Sequence, residues 1–145
     1  RRFDSRWGWA EAWPVMIYRV CAAAILMLGC VGCAAEERVA TSSDVADEFL
    51  AAVEAGDAAA ACALIAPKTR EEFEFGEGEP CADTLGSLDL PAGGTVDEVE
   101  VWGDRAQARG ETDTLFLVET HDGWRVAAAG CLRGEDETYD CLLSG

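Results

Sequence analysis

The sequence predicts an α+β domain with its helices first and an antiparallel sheet after them, on three observations. Between residues 43 and 56 apolar side chains recur at helical spacing, and from Thr95 to Cys131 the pattern switches to alternation. The alternating runs are separated by short turn signals: Gly103-Asp104, residues 110–112, and His121-Asp122-Gly123. Helices followed by a meander define that class.

The first helix is expected to open at Ser43, a good N-cap, with Asp44, Asp47 and Glu48 behind it at the positive end of the helix dipole. Val45, Phe49, Ala52 and Val53 fall at i, i+4, i+7 and i+8 and so share a face, and Gly56 takes the C′ position. Asp57 caps a second helix over AAAACALIA. Pro67 interrupts it and, as a first-turn residue, permits another turn or two through Phe75. GEGEP is a break, PCADTLGSL a short third helix and LPAGG the turn into the sheet, so two to three N-terminal helices are expected.

TVDEVEVW, RAQARGE, DTLFLVET and GWRVAAAGC read as about four strands of a curved antiparallel sheet. Asp122-Gly123 is the strongest turn, because both residues tolerate positive φ. Residues 115–118, LFLV, are apolar on both faces, which places that strand at the centre with helices over one side. Trp102 and Trp124 stand at strand ends, where they plug the core or line a pocket.

Ahead of this domain, residues 20–28 form an apolar run of nine behind Arg19, and the uncharged stretch continues to Ala35. Nine suits a signal peptide, whereas sixteen uncharged residues with two glycines fall short of the roughly 20 that span a bilayer. Residues 1–15, crowded with tryptophan, suit neither a signal's basic start nor a folded element. Met16 opens MIYR, a compact basic start, so residues 1–15 are read as an upstream segment and residues 16–33 as the signal.

Small residues precede cysteine twice, in MLGC and CVGC. Each resembles the lipobox of bacterial lipoproteins, in which the cysteine sulfur receives a diacylglycerol and the signal is cut just before it. Two or more acyl chains then give stable anchoring to the bilayer. A redox or metal reading of Cys30-Val31-Gly32-Cys33 lacks the strand-to-helix context and the second ligand pair that it needs. Parity favours Cys33 for lipidation over the alternative, Cys30, because cleavage before Cys33 leaves four further cysteines that can pair. Residues 34–42, AAEERVATS in the main, are polar and aperiodic and read as a tether to a domain over residues 43–145.

The chain has 11 basic and 28 acidic residues in 145, a formal charge of -17. Nucleic acid is excluded as a partner, since phosphate binding needs a basic stripe. Cys62, Cys81, Cys131 and Cys141 allow three pairings, and proximity along the chain favours Cys62 with Cys81 and Cys131 with Cys141. Export to an oxidising compartment permits both.

FLAAVEAGDAAAACALIAP ahead of a curved meander resembles the nuclear transport factor 2-like (cystatin-like cone) domains of bacterial lipoproteins, and GWRVAAAGC with YDCLL resembles lipoproteins of high-GC Gram-positive bacteria. The resemblance covers residues 43–145 and implies a cone-shaped pocket between sheet and helices, with homodimers formed through the open sheet face in many members. Members that are isomerases or cyclases place an acid in that pocket with a polar partner. Here neither Tyr139 nor His121 maps onto such a position.

Asp113, at the start of the central strand, is the candidate pocket acid, with a strand-end cap as its plainer role. Arg105, Gln107 and Arg109 share a strand face and suit an anion or pairing with nearby carboxylates. The clusters Glu71-Glu72-Glu74, Glu77-Glu79, Asp97-Glu98-Glu100 and Glu135-Asp136-Glu137 lack a calcium-loop pattern and read as solvated faces. His121 beside Asp122 in a tight turn reads as exposed. No cofactor or metal is called for, and no hydrolase elbow or phosphate loop occurs. The expectation is a lipid-anchored extracytoplasmic domain that binds a small apolar ligand or an envelope protein without catalysis. A pocket enzyme and a structural homodimer are the alternatives.

Overall fold

The computed structural model describes the backbone of residues 13–136 and 138–145, with side chains from Cys33 onward. Residues 1–12, most of the upstream segment, and the side chains of residues 13–32, Cys21 and Cys30 included, lie outside the described residues, as does Glu137. Among the described residues four helices precede five strands: α1 (Trp13–Glu54), α2 (Ala58–Leu64), α3 (Pro67–Glu77), α4 (Cys81–Ser87), then β1 (Val96–Trp102), β2 (Arg105–Gly110), β3 (Thr114–Thr120), β4 (Gly123–Arg133) and β5 (Tyr139–Ser144). The fold is therefore α+β, and the strands form one antiparallel sheet in sequential order. The chain divides into two units after Glu37. In the first, Cys33 to Glu37 are exposed on helical backbone.

Helix α1 does not begin at Ser43. Ser42 lies inside it, buried, with its hydroxyl donating back to the carbonyls of Arg38 and Val39 at 2.8 and 3.0 Å. The buried stripe Ser42, Ala46, Phe49, Leu50 extends the helical face upstream, so residues 38–42, expected as tether, are part of the folded helix. Asp47, expected to serve the helix dipole, instead accepts from the Val96 N–H at 2.8 Å and holds the start of edge strand β1.

At the other end Gly56, at φ 68°, closes α1, with its own N–H on the Val53 carbonyl and the next N–H on Ala52. Asp57 caps α2 through the Ala60 N–H. The run after it divides at Pro67 into two helices, because a residue before proline is forced out of the helical region. Ile65 and Ala66 are extended. Ile65 bridges Val126 in parallel, and the Ala66 N–H donates to the Val126 carbonyl at 2.8 Å. The break thus fastens α2 and α3 to β4.

Strand β3 is central, as LFLV predicts. Leu115 and Leu117 face the helices with Val126, Ala129 and Leu143, opposite Phe49, Leu50 and Ile65, all at or below 2 % exposure. Each such leucine, isoleucine or phenylalanine contributes about 1.5–3 kcal/mol on burial. The tail after β4 is a fifth strand, so β4 is not the last one. Leu143 pairs with Ala129 and is buried, and Cys141 stands opposite Cys131. Cys62 is bonded to Cys81 and Cys131 to Cys141.

Candidate functional site

The space between helices and sheet, where the family resemblance implies a cone, is filled by the core just described. The face of the sheet turned away from the helices carries the open concavity. Alternation puts Glu98, Glu100 and Trp102 of β1 beside Arg109, Gln107 and Arg105 of β2, and these beside Thr114, Phe116 and Val118 of β3.

At one end of this face a polar network closes over the sheet. The Gln107 amide donates to the Tyr139 hydroxyl at 2.9 Å, and Arg109 donates to the Gln107 oxygen at 3.2 Å and to Glu98 at 3.0 Å. Glu100 lies 3.3 Å from the same guanidinium. Its hydrogen bond with Glu98 pushes Arg109 further up from its ordinary pKa, against the smaller opposite effect of burial. The Tyr139 ring meets Phe116 edge-on, with centroids 5.0 Å apart. Tyr139 thereby ties β5 across the sheet face.

At the other end the face is open. Trp102, Arg105, Phe116, Ala127, Ala128 and Ser144 line a groove of about 360 Å³. Trp102 is 49 % exposed, which corrects the expectation that it plugs the core. It sits in the last pair of the β1–β2 hairpin, opposite Arg105, where no further strand covers it. A β-bulge where β4 passes Phe116 and Leu117 lets Ala127 and Ala128 floor the groove with small side chains. Arg105 is held only loosely, 3.8 Å from Asp104, with both side chains more than half exposed. The result is an aromatic and aliphatic trough with one cation at its rim.

The other sequence-predicted pocket residues lie elsewhere. Trp124 is 4 % exposed and faces the helices, with the Arg38 guanidinium 5.3 Å from its ring centroid. Arg38 also donates to Glu119 and to the Gly103 carbonyl, which secures α1 against the sheet. Asp113 is 7 % exposed, and both its oxygens are occupied. Oδ1 accepts from the N–H groups of Thr114 at 2.6 Å and Cys131 at 2.9 Å, while Oδ2 accepts from Gly130 at 2.8 Å. Burial pushes its carboxyl above the ordinary carboxylate range, with the three N–H donors pulling the other way. It caps the point where β4 leaves β3. There Gly130, at φ 67°, adopts a conformation that glycine permits.

His121 is exposed in its turn, with Nε2 3.0 Å from Asp122. Among the described residues, the acidic clusters do not bring three metal-ligating side chains together, and every buried side-chain nitrogen and oxygen has a hydrogen-bond partner. Among them, too, no helix is long and apolar enough to cross a membrane. Phe116 and Tyr139 were legible only as core and tail. Their meeting depends on a strand pairing that the acidic GEDET segment obscures.

No family model matches the chain, and neither the curated proteins nor the solved structures supply a match to it.

Proposed function

We propose that this chain is a lipid-anchored extracytoplasmic protein of the nuclear transport factor 2-like kind, whose outer sheet face binds a small apolar ligand without chemical conversion. One observation carries the binding half: Trp102, a large aromatic side chain left half exposed, shares a groove of about 360 Å³ with Phe116. Two disulfides support an oxidising compartment, and MLGC and CVGC after an apolar run support the anchor. An acidic surface disfavours anionic ligands, while Arg105 alone offers a cation to an electron-rich ring.

The test is native mass spectrometry of the chain with its disulfides intact, compared with its denatured mass and with Trp102→Ala. A non-covalent adduct on the parent that is lost from the variant supports the groove. An adduct retained by Trp102→Ala, or none on either protein, refutes it.

A further inference from the structure

The charges of the outer sheet face are sorted along the strands. At the end where Tyr139 crosses the sheet, Glu98 and Glu100 of β1 are both paired with Arg109. Glu119, whose partner across the ladder is the buried Trp124, is taken by Arg38. At the groove end the balance reverses. Trp102 of β1 stands opposite Arg105 of β2, Arg105 opposite Val118 of β3, and Val118 opposite Arg125 of β4. Residues directly opposite one another share a face, with Cβ atoms about 5 Å apart. The two arginines therefore flank Val118 in one row that ends on Trp102, and Phe116 and Ala128 stand opposite each other in the next. Arg125 is held to this side because its chain neighbours, Trp124 and Val126, are both buried on the other.

Neither arginine has a firm anionic partner. Arg105 has Asp104, 3.8 Å away with both side chains more than half exposed, a pair worth little in water. Arg125 donates from Nη1 to the Trp124 carbonyl at 2.7 Å, and among the described residues no carboxylate pairs with it. A guanidinium has five N–H donors in a planar fork that matches a carboxylate, so most donors of this pair stay open. Arg105 lines the trough, and Arg125 stands just outside it across Val118. The acidic remainder of the chain repels anions at long range, an effect screened beyond about 8 Å at physiological salt, whereas these two cations act at contact.

We infer that the groove ligand is a flat apolar ring bearing one carboxylate, with the ring beside Trp102 and Phe116 over Ala127 and Ala128 and the carboxylate held by Arg105 and Arg125. The inference rests on the sheet-face groove and adds the ligand's head group.

The test is amide chemical-shift titration of the full chain, disulfides intact, with 2-naphthoate, 2-naphthylmethanol and 2-naphthylmethylammonium at low salt. The alcohol shifts the amides of Trp102, Ala127 and Ala128 with a dissociation constant of about 1 mM, the scale of a ligand this small. Naphthoate binds about fivefold more tightly than the alcohol, the effect of two exposed guanidiniums acting through water, and the ammonium binds more weakly than either. Arg105→Gln with Arg125→Gln brings naphthoate to the affinity of the alcohol and leaves the alcohol's own affinity unchanged. Trp102→Ala weakens all three. Naphthoate no tighter than the alcohol, or a preference that survives the double substitution, overturns the inference and leaves the groove standing. No shift at the groove amides with any of the three overturns both.

Discussion

Asp113→Ala tests the physical account of the sheet at its most sensitive point. The substitution removes the acceptor from three N–H groups at once, of which those of Gly130 and Cys131 are buried. A buried donor left unsatisfied costs about 1–3 kcal/mol, and the loss is offset by relief from burying a carboxylate, so a net loss of about 3 kcal/mol is expected. The assay is urea unfolding with the disulfides intact, which gives the stability difference at each pH.

The pH dependence has a definite sign. A carboxyl raised above its unfolded value binds its proton more tightly in the folded state, so its contribution to stability falls as pH rises from the ordinary carboxylate range through the folded pKa. The gap between parent and Asp113→Ala therefore widens on acidification from pH 7 into that range. Other carboxylates titrate in both proteins and cancel in the difference. A gap that narrows would show that the N–H groups outweigh burial, and a difference below about 1 kcal/mol would refute the capping role.

Three further outcomes follow from the same structure. Replacing Cys62 and Cys81 with alanine lowers stability by about 3 kcal/mol for the loop they close, read by denaturant unfolding with the Cys131–Cys141 bond kept. Tyr139→Phe keeps the ring against Phe116 but leaves the buried Gln107 amide without its acceptor. It costs about 1–2 kcal/mol in the same assay. His121→Ala, in an exposed turn, leaves stability within about 0.5 kcal/mol of the parent.

Much of the fold was legible because local chemistry and global placement agree. LFLV is apolar on both faces and is central, the β3–β4 hairpin falls at His121-Asp122-Gly123 with His121 and Asp122 in the loop and Gly123 already paired with Thr120, and Gly56 and Asp57 end one helix and start the next. The departures occur where tertiary partners decide. Residues 38–42 look polar and aperiodic, yet Arg38 and Ser42 lie one turn apart, the first reaching Trp124 and the second buried. Tyr139, Cys141 and Leu143 alternate as a strand should, but the acidic run before them hides a strand only six residues long. At the candidate site Trp102 does end a strand, but it is half exposed and does not plug the core. Its exposure goes with its place on β1, an edge strand of the sheet among the described residues, which is a topological fact. Asp113 was visible as a polar residue at a strand start. Its three N–H partners include two 17 and 18 residues away, which no local pattern reveals.

The claim that this is a lipid-anchored extracytoplasmic protein is tested most directly by the intact mass of the mature protein extracted from the membranes of a high-GC Gram-positive host. The account predicts a chain that begins at Cys33, heavier than its sequence by a diacylglycerol, and no such membrane-bound species when Cys30 and Cys33 are both changed to alanine. An unmodified chain, or one that stays in the membrane without either cysteine, contradicts it.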